Sequence, residues 1–250
     1  MDDVVRVRAD MGAVMATMAG RIGAVADAGR DWWVGLTGGV APDLNLVLLA
    51  TADPVVLDGT LTILDEAGLD ALVFLAGPGR ELGSRLASPW VGVGAAPVMT
   101  RDLTSGPVDV VDPRVRQAGP ADADVLAALI AEAFSLTADD TALMAAGAVP
   151  GGVVRGWLLE DGGEAVCALI SGHVDDGVSI WAMSTPTRFA RRGYGRALLA
   201  SVLAHARADG ARVGMLGATP AGLPLYEATG WRTVDEWELF TNAESAQFGH

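Results

Sequence analysis

The sequence contains no lysine. All 17 of its basic residues are arginine, set against 31 Asp and Glu, and the formal net charge is −14. That excess of acid excludes a general nucleic-acid binder, because neutralising a phosphate backbone takes basic patches. Solubility is sufficient reason for the acidity, and a cationic substrate is a second reading of it. Cysteine is nearly missing too. Cys167 stands alone, so there is no intramolecular disulfide and no thiolate metal cluster, and no metal site is expected. Long apolar runs are absent although 51% of the 250 residues are apolar. No stretch reaches the roughly 18 uncharged residues of a membrane helix, and "LNLVLLA" and "ALVFLAG" have the length of buried strands. The start, "MDDVVRVRAD", lacks the basic-then-apolar order of a signal peptide. The expectation is a cytoplasmic protein without a membrane partner, long enough for one large domain or two small ones.

What is present is an alternation of strand-like and helix-like segments, clearest in the second half. A short strand, Val115 to Ala118, is broken by Gly119-Pro120. Asp122 or Asp124 then caps a helix with the apolar stripe Val125, Leu126, Leu129, Ile130 and Phe134. A short helix is expected over Asp139 to Ala148, followed by three strands joined at Asp161-Gly162-Gly163 and Asp175-Asp176-Gly177. A helix from Gly195 to Asp209 carries the stripe Leu199, Val202, Leu203 and Ala206 and stops at Gly210. The strand "ARVGMLGA", a short helix in "AGLPLYEATGW" and a last strand, "WRTVDEWELF", complete the half.

The first half repeats part of this order. An amphipathic segment, Val4 to Ala28, precedes the strand-like runs "DWWVGLTG" and "DLNLVLLAT" and a helix from Val55 to Ala67. "EAGLDALVFLAG" with "GRELGSRLASPW" follows the same plan as "RADGARVGMLGATPAGLPLYEATGW": helix end, Gly, apolar strand, turn, short helix, Trp. Thr104 to Pro113, "TSGPVDVVDP", reads as a linker and divides the chain into residues 1–112 and 113–250.

One stretch suggests chemistry. "RRGYGRALL", Arg191 to Leu199, follows a strand and opens a helix. Glycines there permit positive φ and close backbone approach, successive N–H groups can face one concavity, and the helix start adds unpaired donors and the positive end of its dipole. With Arg191, Arg192 and Arg196 this would suit a pyrophosphate, while a plain glycine turn before a buried helix is the structural alternative. The dinucleotide fingerprint fails, because Leu198 stands where its third glycine belongs, and a Walker loop fails for want of Gly-Lys-Ser/Thr.

At these residues the sequence resembles the GNAT superfamily, the acetyl-CoA-dependent N-acetyltransferases, whose loop pattern Arg/Gln-x-x-Gly-x-Gly/Ala is matched by Arg192-x-x-Gly195-x-Ala197. The strand "WAMST" before the loop and "GLPLYEATGW" after it extend the resemblance over about residues 114–241. It implies an α/β GNAT fold, a mixed central sheet flanked by helices, with residues 1–112 as a second, degenerate GNAT-like unit. That unit has "DPVVLDGTL" in place of the arginine-glycine loop and Arg85 in place of Tyr226. It implies acetyl-CoA as cosubstrate and direct attack by an amine of a small molecule or peptide. The residues carried over as cofactor-binding are Met183, Ser184, Thr185, Arg191, Arg192, Gly193, Tyr194, Gly195, Arg196 and Ala197. Backbone N–H among Met183, Ser184 and Thr185 would meet the oxyanion, and Tyr226 would protonate the leaving thiolate; its other reading is a packing tyrosine. His173, Glu132, Glu236 and Glu238 are candidate bases, each with a bland alternative as a surface or strand-end group. Cys167 reads as packing rather than nucleophile, and Trp157, Trp181 and Trp231 as core, with a wall of the acceptor pocket as the alternative for one of them.

Overall fold

A computed structural model describes residues 2–21, 25–105, 109–134 and 136–244. The chain divides into two compact units, residues 1–99 with 217–250 and residues 100–216.

The first unit begins with helix α1 (Asp3–Arg21), followed by β1 (Val25–Ala28), β2 (Trp32–Leu36) and β3 (Asn45–Leu49). The amphipathic segment expected to run to Ala28 therefore ends in a strand. Helix α2 (Pro54–Ala67) forms because Asp53 caps it, its Oδ1 accepting from Val55 N–H at 2.9 Å. Pro54 supplies the preset φ of the first turn, and Gly68 at φ 62° ends the helix in the left-handed region. Strand β4 (Leu72–Leu75) leads into a 3-10 segment, Gly77–Arg85, where the sequence suggested a short helix. Then come β5 (Val91–Asp102) and, far along the chain, α6 (Leu223–Glu227) and β11 (Arg232–Thr241).

The strand order of this unit is β1-β2-β3-β4-β11-β5, with β3 and β4 parallel and the pairs β1–β2, β2–β3 and β4–β11 antiparallel. The last strand of the chain thus belongs to the first unit, with Glu238 opposite Leu75 and Thr241 opposite Leu72. Asn242 secures it by accepting from Ala71 N–H at 2.8 Å. The expected division after residue 112 separates β11 from the sheet it joins. One face of the sheet buries Val34, Leu36, Val47, Leu49, Val73 and Leu75 against Leu57 and Leu64 of α2. On α1, Gly12 lets Trp33 come close: a Cβ there would lie 2.6 Å from the indole, whose Nε1 donates to Arg8 O at 3.0 Å.

The second unit holds β6 (Val115–Gln117), α3 (Ala123–Phe134), α4 (Ala138–Gly147), β7 (Val154–Asp161), β8 (Glu164–Val174), β9 (Gly177–Ser184), α5 (Tyr194–Ala208) and β10 (Val213–Gly217). Strand order is β10-β9-β8-β7-β6, with β9 and β10 parallel and the other pairs antiparallel, so the sheet is mixed as expected. Neighbouring positions of β7 point to opposite faces. Gly156 receives Leu126 of α3, whose Cδ2 would lie 2.7 Å from an added Cβ, while Trp157 stacks on His205 of α5 at 5.2 Å. Helices α3 and α5 therefore cover opposite faces.

The α3 stripe is narrower than its sequence suggests. Leu126, Ala127, Leu129 and Ile130 are buried, whereas Val125 and Phe134 are 42% and 41% exposed, because they lie at the margin of a face one sheet wide. Helix α4 starts at a Thr137 cap, whose Oγ1 accepts from Asp140 N–H at 3.2 Å. The linker expected over Thr104 to Pro113 forms no helix or strand in its described residues, and its residues 106–108 lie outside them.

Candidate functional site

In the second unit the sheet opens beside the loop. β10 pairs with β9 through Val213↔Gly177, Gly214↔Val178 and Met215↔Ser179, and β9 continues to Ser184 beside β8. The register with β8 jumps from Ile170↔Trp181 to Ala168↔Ser184, so two residues oppose one. Ala182, at φ 44°, is the bulged residue. A bulge re-aims the backbone and locally frees its polar groups. The segment expected to meet a thioester and its pantetheine amides is thus an irregular strand end along which the β10 ladder has stopped. Ser184 is 2% exposed, and its Oγ is buried without a hydrogen-bond partner.

Residues 185–193 then carry the chain to α5. A 3-10 turn, Thr187–Phe189, comes first, with Arg188 stacked over Phe189 at 4.5 Å and ion-paired to Glu132. Arg191 has φ 63° and Gly193 φ 84°, while Arg192 between them keeps a negative φ. Alternation of this kind turns successive N–H groups to one side. Gly193 is the N-cap of α5 and makes no side-chain cap. The first helical bond runs from Ala197 N–H to Gly193 O at 3.0 Å, which leaves the N–H groups of residues 194–196 ahead of it without a helical acceptor. Gly193, Arg191, Arg192 and Arg196 are exposed, and among the described residues none of these three arginines is ion-paired. Donors, dipole and exposed cations converge on one helix start, an arrangement suited to a diphosphate. Tyr194 differs from the rest of the loop. Its ring is buried and its hydroxyl donates to Asp161 Oδ2, so its backbone N–H is what it offers an anion.

The other expected residues fall elsewhere. Tyr226, on α6, is in the first unit, 7% exposed and edge-on to Trp231 at 5.9 Å. Among the candidate bases, Glu132 is tied to Arg188. His173 pairs with Val178, five residues along β8 from Ala168, which faces Ser184. At roughly 3.3 Å per residue that is about 17 Å along the sheet, out of reach of chemistry near Ser184. Cys167 lies next to the strand end, its Sγ 3.0 Å from Thr185 Oγ1, but burial pushes its thiol up to about 11. It is a neutral packing group at ordinary pH, as its apolar strand suggested.

His173 has a different setting. With Arg155, Asp175 and Asp209 it lines a cavity of about 280 Å³. Its Nε2 is 2.8 Å from Ser171 Oγ, which also accepts from Trp157 Nε1 at 2.8 Å. Burial first, and the Arg155 charge second, lower its pKa to about 4. Because the folded value lies below the unfolded one, the stability this provides is fully present above about pH 6.5 and is lost as pH falls through 4. Urea unfolding should show a loss on the order of 2–3 kcal/mol across that window. His173→Gln should flatten the decline, and an equally steep one in that variant would assign it to other groups.

The comparisons with known proteins agree with this geometry. Residues 130–231, which include β7 to α6, match the profile of the Acetyltransferase (GNAT) family. The structure is similar to a GCN5-related N-acetyltransferase from Kribbella flavida, with a TM-score of 0.68 at 15% identity, covering 98% of this chain and 97% of that one. The chain has the GNAT acetyltransferase fold. A GCN5-related N-acetyltransferase from Sphaerobacter thermophilus is similar at a TM-score of 0.60 and 14% identity, over 84% of this chain and 76% of that one. No curated protein matches the sequence. Among the described residues, no helix is long and apolar enough to cross a membrane, and no group of three or more His, Cys, Asp and Glu could hold a metal ion.

Sequence reasoning missed two features of the second unit, the Ala182 bulge and the anchoring of Tyr194 by Asp161. Neither has a local signal, since each depends on which strand or turn the residue meets.

Proposed function

We propose that the chain is an acetyl-CoA-dependent N-acetyltransferase acting on a primary amine of a small molecule or peptide, by direct attack in a ternary complex. The observation that carries this reading is the helix start of α5, with its run of N–H groups lacking a helical acceptor and its exposed arginines, directly after a bulged and unzipped strand end. Met183, Ser184, Thr185 and residues Arg191 to Ala197 form the proposed cofactor site. The loop would hold the pyrophosphate, and the β9 end would offer N–H groups to the pantetheine and to the oxyanion, where preorganised donors lower the barrier. The orphaned Ser184 Oγ fits a strand end built to receive another polar group. Acetyl-CoA supplies the activated thioester, and the chain's own work is to orient it and stabilise the charge that develops.

Tyr226 is the proposed acid for the leaving thiolate. Its support is the motif "GLPLYEATGW". As a division of roles, residues 113–250 carry the proposed chemistry and residues 1–112 a degenerate GNAT-like half without the loop. A second reading, an acyl-CoA binder without turnover, is favoured by the setting of two candidate bases in the second unit: Glu132 is engaged by Arg188 and His173 is remote.

Calorimetry with acetyl-CoA tests the common part, and absence of binding at millimolar ligand would sink it. A panel of amines screened for free CoA release separates enzyme from binder. Tyr226→Phe is expected to lower turnover by about 10–100-fold with little change in acetyl-CoA affinity, as loss of a general acid does. An unchanged turnover number would remove Tyr226 from that role.

A further inference from the structure

The start of α5 is fastened by a closed circuit of hydrogen bonds, all of it in the second unit. The Tyr194 hydroxyl donates to Asp161 Oδ2 at the β7–β8 turn. Arg114 donates to the other oxygen of Asp161 at 3.3 Å and, through Nε and Nη2, to both oxygens of Asp112 at 3.1 and 2.8 Å. Asp112 N–H donates to Ser201 Oγ at 2.8 Å, and Ser201 donates to Ala197 O at 2.9 Å, one turn into the helix. Ala197 N–H closes the circuit on Gly193 O, at the N-cap. The Arg114 guanidinium also lies over the Tyr194 ring, 5.7 Å from its centroid. The first turns of α5 are therefore held from two sides, by Tyr194 and by Ser201.

The fastening is unusual for its place. Gly193 and Gly195 leave the loop little side-chain packing of its own, and glycine loses more backbone freedom on ordering than any other residue. A loop that must present several N–H groups at one point gains affinity if this ordering is complete before the ligand arrives. Asp161 is an odd neighbour for an anion site, but Arg114 offsets its charge, and the Tyr194 hydroxyl and Arg114 hold its carboxyl below the usual aspartate range.

We infer that Tyr194 and Asp161 form a clasp that preorganises the anion-binding start of α5, so that both are positioning residues for the diphosphate of the bound nucleotide. The inference rests on the proposed acetyl-CoA reading. The clasp acts on the diphosphate end of the ligand and leaves the thioester end alone. It therefore affects acetyl-CoA and CoA equally and does not affect acetyl-pantetheine, which has the thioester arm without the diphosphate.

The test uses the full chain, Tyr194→Phe, Asp161→Asn and the double variant, with calorimetry for the three ligands and hydrogen exchange on the free proteins. Each single variant should bind acetyl-CoA and CoA about 5–10-fold more weakly, with acetyl-pantetheine affinity and thermal midpoint unchanged. The double variant should be no weaker than the singles, because either change opens the same clasp. Amide exchange at residues 194–197 should be faster in all three. Equal affinities with unchanged exchange overturn the clasp while leaving the acetyl-CoA reading intact. Equal weakening toward acetyl-pantetheine also overturns it, since the effect would then be general. Failure of the unaltered chain to bind acetyl-CoA overturns both readings together.

Discussion

A chain ending at Trp231 is expected to lose the folded state of its first unit. Such a chain lacks β11, and β4, now buried between two strands, becomes an edge whose Leu72, Val73 and Leu75 are at most 3% exposed in the intact protein. Deletion also removes Trp237, 2% exposed and 5.6 Å from the Phe74 ring, and Phe240, which packs on the core of the unit. Truncating one buried aromatic side chain costs about 3–5 kcal/mol, and each ladder bond lost adds about 0.5–1.5 kcal/mol. Asp235 leaves as well, and with it the partner of Arg8 at 2.8 Å, a half-buried cation that is costly to leave unpaired. The sum is comparable to the roughly 5–15 kcal/mol by which a domain is stable. Hydrogen exchange over residues 45–75 would read the result: near-complete loss of protection is expected. Protection retained in the shortened chain would show that β11 is dispensable to this sheet.

The second large effect is expected at Gly195. Gly195→Val places a branched side chain at the second helical position of α5, beside the N–H groups proposed to receive the diphosphate. Valine is a better helix residue than glycine, so this change does not threaten the helix itself. Acetyl-CoA affinity should fall by about 10–100-fold, which is about 1.4–2.8 kcal/mol, while the melting temperature stays equal or rises. Gly195→Ala, with a single methyl group, should lose less. Retained affinity in a folded Gly195→Val variant would return "RRGYGRALL" to the simpler role of a turn that starts a buried helix.

These two experiments probe features of different legibility. The loop could be read because its properties are local. Left-handed φ at Gly193, a helix start without a side-chain cap and three nearby arginines all follow from nine consecutive residues. The hairpin turns at Asp161-Gly162-Gly163 and Asp175-Asp176-Gly177 were legible for the same reason, and Gly162 and Gly163 do take φ of 62° and 85°. Strand β5 was harder. Its first half, "VGVGAAP", is made of small residues that are mostly exposed or half-buried, so no apolar alternation marks it. The Gly77–Arg85 segment carried the spacing of a short helix, but Gly77, Gly79 and Pro78 tighten it into a 3-10 form.

By itself, the sequence determined the order of strands and helices in residues 113–250, the arginine-glycine loop that opens α5 and the place where α5 begins. Each follows from propensity, periodicity and glycine φ over short stretches. Only the tertiary structure decided that β11 joins β4, that β9 parts from β10 after Ser179, that His173 stands about 17 Å along the sheet from Ser184, and that Tyr194 is held by Asp161. Strand partners and side-chain anchors are chosen by burial and hydrogen bonding between segments far apart in the chain. A strand has the same local pattern whichever neighbour completes its ladder.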